Sequence, residues 1–272
     1  MQVSFIQGEE FSNRLIGWGV KISTRIASLS KGEDTMDSNA HILVVEDDVD
    51  INNLLTTILR KNGYQVTSAY SGSEAELRIR MEEFDLLILD LMLPGMTGEE
   101  IIAKTRESKE MPIIVISAKI TLEDRVQALN TGADDYITKP FEIEEILARV
   151  NSQLRRYHKF SHVDRRDEET VEEDCFQFKN LTMNVTAREA LVNGTPISLT
   201  VHEYEILLLL IKNPNKVYSR ESLYESIWEN GYYGEDNTVN VHISNIRKKL
   251  DAVDKDTEYI KTVWGIGFKL AK

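Results

Sequence analysis

The sequence predicts an α/β chain: a doubly wound, parallel five-stranded sheet followed by a smaller α+β domain. Three observations carry this. Short apolar runs ending in polar residues alternate with helical stretches five times between residues 41 and 158, and parallel neighbours need such crossover helices. Residues 156–174 are charged and aperiodic, as a solvated linker is. After them the pattern changes to short strands broken by turn residues, then three helices and a last strand pair.

Taken in order, His41-Ile42-Leu43-Val44-Val45 is a buried strand. Ile51, Leu54, Leu55, Ile58 and Leu59 mark one face of a helix over 50–62 that stops at Asn62-Gly63. Residues 65–70 read as a strand, and 71–81 as a helix with Ala75 and Leu77 inward. Leu86-Leu87-Ile88-Leu89 is an unbroken apolar run closed by Asp90, the mark of a strand covered on both faces. A helix over 98–106, a strand over 112–116 ending at Ser117, a helix over 122–130 stopped by Gly132, a strand at 136–138 and a helix over 142–155 complete this part. In the second part, strands at 176–178, 181–185, 190–192 and 197–199 suit a small antiparallel sheet. Thr200-Val201-His202-Glu203 is a capping box opening a helix through Ile211. Helices over 219–228 and 237–250 follow, then strands at 259–263 and 268–270 around Trp264-Gly265-Ile266-Gly267. Helix, helix, helix, hairpin is the order of a winged helix-turn-helix.

With 272 residues the chain suits two ordinary domains. No apolar run approaches the ~20 residues of a membrane span, so no membrane insertion is expected. Cys175 is the only cysteine, which rules out an intrachain disulfide and points to a cytoplasmic location. The net charge of −13 is unevenly spread: residues 173–272 hold 12 Lys and Arg against 14 Asp and Glu. Whole-chain acidity therefore does not exclude local contact with nucleic acid. Residues 1–40 match nothing downstream. Phe11, Leu15, Trp18, Ile22 and Ile26 recur at helical spacing beside Arg14, Lys21 and Arg25, as in an amphipathic helix on a membrane or partner surface. The favoured expectation is a disordered, unpacked extension, with Met36 as the start of translation. The expected domains are thus 41–158 and 175–272, joined by a linker over 159–174.

Four strand ends carry polar groups: Glu46-Asp47, Asp90, Ser117 and Lys139. In a parallel sheet these ends share one edge, where open α/β sheets bind ligands. Asp90 alone either caps the following turn or works in a site. Beside other carboxylates it invites a hard divalent cation, and Mg²⁺ suits a site with few protein carboxylates. Lys139 and the Ser117 hydroxyl are then placed for phosphoryl oxygens, and Asp90 for nucleophilic attack.

The segments Val44-Val45-Glu46-Asp47-Asp48, Asp90-Leu91-Met92-Leu93-Pro94-Gly95-Met96-Thr97-Gly98, Ser117-Ala118 and Gly132-Ala133-Asp134-Asp135-Tyr136-Ile137-Thr138-Lys139-Pro140-Phe141 resemble the receiver domain of two-component response regulators, a flavodoxin-like fold. The resemblance implies that Glu46, Asp47, Asp90 and the Met92 carbonyl bind Mg²⁺. It implies that Asp90 takes phosphate from a sensor histidine kinase, that Ser117 and Tyr136 reorient, and that Lys139-Pro140 is cis. The expected chemistry is confined to the chain's own phosphorylation and dephosphorylation. A phosphatase of the haloacid dehalogenase type would need a second Asp where Met92 stands. Met92 and Lys119 flank the expected path of a hydrolytic water, which predicts a long-lived phosphoryl group.

Residues 175–272 resemble the OmpR/PhoB-type winged-helix output domain, chiefly through Thr238-Val239-Asn240-Val241-His242-Ile243 and Ile260-Lys261-Thr262-Val263-Trp264-Gly265-Ile266-Gly267-Phe268. Val239, Ile243, Ile246 and Leu250 form a core-facing stripe. Thr238, Asn240, Val241, Ser244, Asn245, Arg247 and Lys248 on other faces are expected to meet double-stranded promoter DNA. Trp264 is expected to pack either on a sugar or against the wing. Asn237, Ser244 and Asn245 stand where relatives often carry arginines. The resemblance also implies an RNA polymerase contact near 228–234 and a homodimer on phosphorylation, with Asp135, Glu145 and Arg149 in cross-subunit ion pairs. Gln127 replaces the usual basic partner of Glu145. The expected function is a phosphorylation-switched, sequence-specific transcription regulator. The alternative is a signalling module whose output domain binds protein.

Overall fold

A computed structural model describes residues 40–161, 175–228 and 236–271, together with the backbone of 20–21. The chain divides into two compact units, Met1–Leu154 and Arg155–Lys272. In the first, β1 (His41–Val45), β2 (Gln65–Ala69), β3 (Leu86–Leu89), β4 (Ile113–Ser117) and β5 (Asp135–Thr138) alternate with α1 (Val49–Lys61), α2 (Gly72–Met81), α3 (Gly98–Arg106), α4 (Leu122–Thr131) and α5 (Ile143–Ser161). All neighbouring strands are parallel, in the order β2-β1-β3-β4-β5. Ile42, Val44, Ile88, Ile114 and Ile116 face a core shared with Ile51, Leu55 and Leu59 of α1 and Ile146, Val150 and Leu154 of α5. Their strand neighbours Leu43, Leu87 and Val115 are equally buried, as period-two alternation demands of a sheet covered on both sides. Each such side chain contributes roughly 1.5–3 kcal/mol.

Short polar residues set where helices begin. Asp48 accepts from Asp50 N and Ile51 N, Ser71 from Glu74 N and Thr121 from Asp124 N, while Thr97 and Glu100 form a reciprocal capping box. The expectation for Leu77 fails. It is 56% exposed, whereas Ala75 and Ile79, one helical turn apart, supply the buried face of α2. Val20–Lys21 pair in parallel with Phe141–Glu142, so these two residues of the extension are not unpacked as expected. The rest of residues 1–39, residues 162–174 of the linker expected over 159–174, and residues 229–234 of the polymerase contact expected over 228–234 lie outside the described residues. Among the described residues no helix is long and apolar enough to cross a membrane.

The second unit opens with an antiparallel meander of β6 (Cys175–Phe178), β7 (Leu181–Asn184), β8 (Glu189–Val192) and β9 (Thr195–Pro196). Asn193 and Gly194 both have positive φ, 52° and 77°, the geometry of a two-residue hairpin turn. The strand therefore resumes at Thr195, ahead of the 197–199 expected. α6 (Val201–Lys212), α7 (Arg220–Trp228) and α8 (Asp236–Asp251) follow, then the hairpin of β10 (Ile260–Val263) and β11 (Gly267–Leu270). Leu207 and Leu210 of α6, Leu223 and Ile227 of α7, and Val239, Ile243, Ile246 and Leu250 of α8 meet in one core.

On the amino edge of the first unit's sheet, one ion pair joins three elements. Arg106, at the end of α3, donates through Nη2 to Asp134 Oδ2 (2.6 Å), through Nη1 to Met111 O (2.7 Å) and through Nε to Gly132 O (2.9 Å). The same Asp134 oxygen accepts from Ile113 N at 2.9 Å. Asp134 is 1% exposed, and removing the cation would strand its charge. Arg106→Met should therefore cost about 3 kcal/mol of stability, read as a lowered urea midpoint. An unchanged midpoint would show that the remaining amide donors suffice.

Candidate functional site

The strand order reverses between β1 and β3, and the polar strand ends converge there. Glu46 follows β1 and Asp90 follows β3; the Asp90 amide donates to Val45 O (2.9 Å) and the Glu46 amide to Ala69 O (3.1 Å). One ligand oxygen from each of Glu46, Asp47 and Asp90 lies within 4.8 Å of the others. Lys139, just past β5, places its Nζ 2.9 and 2.7 Å from the two Glu46 oxygens and 2.7 Å from Asp90 Oδ2. The other Asp90 oxygen accepts from Met92 N at 3.0 Å. Lys139-Pro140 is cis, in agreement with the expectation. Asn52, absent from the expected site, anchors this edge: its Nδ2 donates to Glu46 O (3.1 Å) and Ala69 O (3.2 Å). Its signal was a polar residue in register with Leu55 and Leu59 on the buried stripe of α1.

α3 presses on the same site. A Cβ on Gly98 would stand 2.7 Å from Asp90 O and 2.6 Å from Leu91 Cα, so only glycine lets the helix start this close. Electrostatics set the character of the pocket. Burial pushes the Glu46 carboxyl up to about 7, against the opposing pull of Lys139. Burial alone would lower the Lys139 ammonium, but Asp90 and Glu46 outweigh it and raise it. Three hard oxygen donors with one compensating cation suit a divalent metal such as Mg²⁺. The residues present fit the ion.

Ser117, fully buried at the end of β4, accepts from Lys119 N at 3.3 Å. Tyr136 is also fully buried, and its hydroxyl donates to Lys119 O at 2.7 Å. Burial pushes that phenol up to about 12. The Lys119 ammonium reaches Glu99 Oε1 at 2.8 Å, and this hydrogen bond raises it. Lys119 thus touches both expected switch residues through its backbone and α3 through its side chain. Glu99 carried no signal in the sequence beyond its place in the first turn of a helix.

Asp135, Glu145 and Arg149 come together, but within one chain. Arg149 Nη1 lies 2.6 Å from Asp135 Oδ1 and Nη2 lies 2.7 Å from Glu145 Oε1, with the Arg149 side chain 2% exposed. Glu145 and Arg149 are one helical turn apart, which makes the local pair easy to close.

The α8 contact set also needs correction. Thr238, Val241 and Asn245 are buried, because α8 packs against both α6 and α7 and its hidden surface is wider than the stripe of four apolar residues. Arg247 is committed elsewhere: Nε and Nη2 donate to Ile260 O (3.1 and 2.8 Å) and Nη2 to Thr262 Oγ1 (2.9 Å). Asn240, Ser244 and Lys248, spaced four apart, form the accessible stripe of α8. Arg220, which the sequence reading passed over, donates from Nε to Asn240 Oδ1 at 3.1 Å and adds a cation there. Trp264 is 90% exposed, which excludes packing against the wing.

Comparison with known proteins agrees with both halves of this geometry. Residues 42–151 match the response regulator receiver domain, and residues 194–270 match the C-terminal domain of transcriptional regulatory proteins. YclJ of Bacillus subtilis (strain 168), an uncharacterized transcriptional regulatory protein, is 41% identical over 229 residues, covering 84% of this chain and 97% of its own. The regulatory protein VanR of Enterococcus faecium is 41% identical over 232 residues, covering 85% and 98%. Among solved structures, a cysteine mutant of RitR aligns with a TM-score of 0.67 at 28% identity, covering 86% of this chain and 99% of its own. With a receiver sheet, a winged-helix output domain and relatives matched over nearly their whole length, the chain belongs to the OmpR/PhoB subfamily of two-component response regulators.

Proposed function

We propose that Asp90 is the phosphoacceptor through which a sensor histidine kinase controls binding of the output domain to promoter DNA. The observation that carries this reading is the Lys139 ammonium lying between Glu46 and Asp90 where the strand order reverses. An Asp90 oxygen attacks the phosphorus of the donor as its bond to the kinase histidine breaks. Glu46, Asp47, Asp90 and the Met92 carbonyl are the groups to hold Mg²⁺, which when bound neutralises phosphoryl oxygens. Lys139 stays beside the oxygen it already touches and offsets the charge that develops in transfer. The Ser117 hydroxyl then exchanges the Lys119 amide for a phosphoryl oxygen. That exchange moves Lys119, and with it the carbonyl that holds Tyr136. The chain's only chemistry is this transfer and the later hydrolysis of the acyl phosphate, in which water takes the phosphoryl group and the Asp90 carboxylate leaves.

The receiver spans 41–158 and the output domain 175–272. Phosphorylation brings two receivers together through β5 and α5; for Asp135 and Arg149 to pair across subunits their intrachain bond must first open. The output domain presents Asn240, Ser244 and Lys248 to the major groove, with Arg220 at its edge, and recruits RNA polymerase. All of this takes place in the cytoplasm.

Asp90→Asn should abolish labelling by a small phosphodonor such as acetyl phosphate and the dimerisation that follows, while the output domain keeps weak DNA contact. A variant that is still labelled and still sediments as a dimer would overturn the assignment. Chelation with EDTA should stop wild-type labelling, with excess Mg²⁺ restoring it; labelling that persists in EDTA would remove the metal from the account. Met92 is 57% exposed beside Asp90, and Lys119 is drawn toward Glu99, so neither orients a hydrolytic water. The phosphoryl group should therefore last minutes or longer in purified protein, followed by phosphate release. Loss within seconds would refute this.

A further inference from the structure

An asparagine buried on the core-facing stripe of a helix needs partners for two donors and an acceptor. Asn52 is 0% exposed, and both sides of its amide are engaged. Its Nδ2 bridges the Glu46 and Ala69 carbonyls, and its Oδ1 accepts from Thr56 Oγ1, one turn along α1, at 3.3 Å. The opposite orientation would press the amide oxygen against two carbonyl oxygens, so the amide has one setting. Thr56 Oγ1 also meets Ser68 Oγ of β2 at 3.1 Å. Thr56 gives its single proton to Asn52, which makes Ser68 the donor in that contact. The donors therefore run one way, from Ser68 to Thr56 to Asn52 to the two carbonyls, and each bond polarises the next.

This chain ends on the backbone that carries the pocket's acids. The Glu46 amide donates to Ala69 O and the Glu46 carbonyl accepts from Asn52, so both its backbone polar atoms are held. Ala69 closes β2, the edge strand of the sheet, and its oxygen takes one hydrogen bond from Glu46 and one from Asn52. Two residues past Glu46, the Asp48 carboxylate caps α1, and the Asp48 carbonyl accepts from Asn52 N at 2.9 Å. Asn52 thus grips the turn at both ends, by its side chain at Glu46 and by its backbone at Asp48. Asp47 stands between them, exposed. Ionised carboxylates this close repel, and a loosely held turn would let Glu46 and Asp47 swing away from Asp90.

We propose that Asn52 is a positioning residue for the divalent cation: the Ser68–Thr56–Asn52 chain fixes the turn bearing Glu46 and Asp47, and so sets how tightly the pocket holds Mg²⁺. Groups that orient metal ligands without touching the metal contribute roughly 10–100-fold to affinity. Being neutral, Asn52 orients the acids without adding to the charge of Lys139. It acts on the metal's affinity and not on the transfer step, so excess Mg²⁺ makes good its loss. This inference rests on the metal-binding reading of Glu46, Asp47 and Asp90.

The test is calorimetric titration of the full-length chain with Mg²⁺ alone, alongside acetyl phosphate labelling across a range of Mg²⁺. Asn52→Leu should bind Mg²⁺ about tenfold more weakly and need about tenfold more of it for labelling. Its labelling rate at saturating Mg²⁺ should stay within about twofold of wild type. Thr56→Val, of the same shape, should weaken binding about threefold, the worth of one ordinary hydrogen bond. Thr56→Ser, which keeps the hydroxyl, should bind as wild type. The double variant should match Asn52→Leu, because both changes break the same chain. Asn53→Leu, at the exposed neighbouring position of α1, should leave binding unchanged. If Asn52→Leu does not fold, the Thr56 pair decides. If wild type binds no Mg²⁺, the metal reading falls and the positioning role with it. The positioning role alone falls if wild type binds and the folded variants of Asn52 and Thr56 match it within about twofold. It also falls if Thr56→Ser is as weak as Thr56→Val, if the two losses add, if Asn53→Leu is equally weakened, or if saturating Mg²⁺ fails to restore labelling.

Discussion

Three carboxylates whose oxygens lie within 4.8 Å of one another repel by roughly 3–4 kcal/mol per fully charged pair at the effective dielectric of a protein surface. Lys139 makes their convergence tolerable. Its single ammonium sits against Glu46 and Asp90 at once, and it leaves Asp47 facing outward and exposed. Burial, with a smaller push from Asp90 and Asp47, keeps the Glu46 carboxyl raised in spite of Lys139. The chemistry of the first domain depends on this incomplete neutralisation. A pocket with a second buried cation would have no need of a metal, and a pocket with none would not hold its acids together.

The acids, the hydroxyl and the lysine of this pocket were legible in the sequence because each stands at the end of an apolar run, and parallel strands bring such ends to one edge. The run Leu86-Leu87-Ile88-Leu89 could hardly be anything but a strand covered on both faces. The supporting contacts were much harder to read. Asn52 and Gly98 act through backbone carbonyls and close approach, for which residue type alone carries little signal. The tie between Lys119 and Glu99 joins the loop after β4 to the first turn of α3, whose separation only the packing of the elements determines.

In the output domain the core stripe of α8 was legible and its complement was not. Period-3.6 spacing identified Val239, Ile243, Ile246 and Leu250, but it does not say how much of a helix its neighbours cover. Contact with two helices rather than one hides Thr238, Val241 and Asn245 as well. Arg247 shows a different difficulty. A cation on a polar face looks available in sequence, yet here its hydrogen bonds brace the wing. Trp264, by contrast, stands 90% exposed at the turn that Gly265 makes.

The link between Arg106 and Asp134 lies at the opposite edge of the sheet from the phosphoacceptor pocket. It clamps the starts of β4 and β5, whereas Ser117 and Lys139 emerge at their far ends. Load-carrying and reactive groups are thus separated by the length of a strand. Substitutions that harden the amino edge against heat can then accumulate without retuning how fast the opposite edge gains or loses its phosphoryl group. The architecture leaves durability and signalling speed open to independent adjustment by selection.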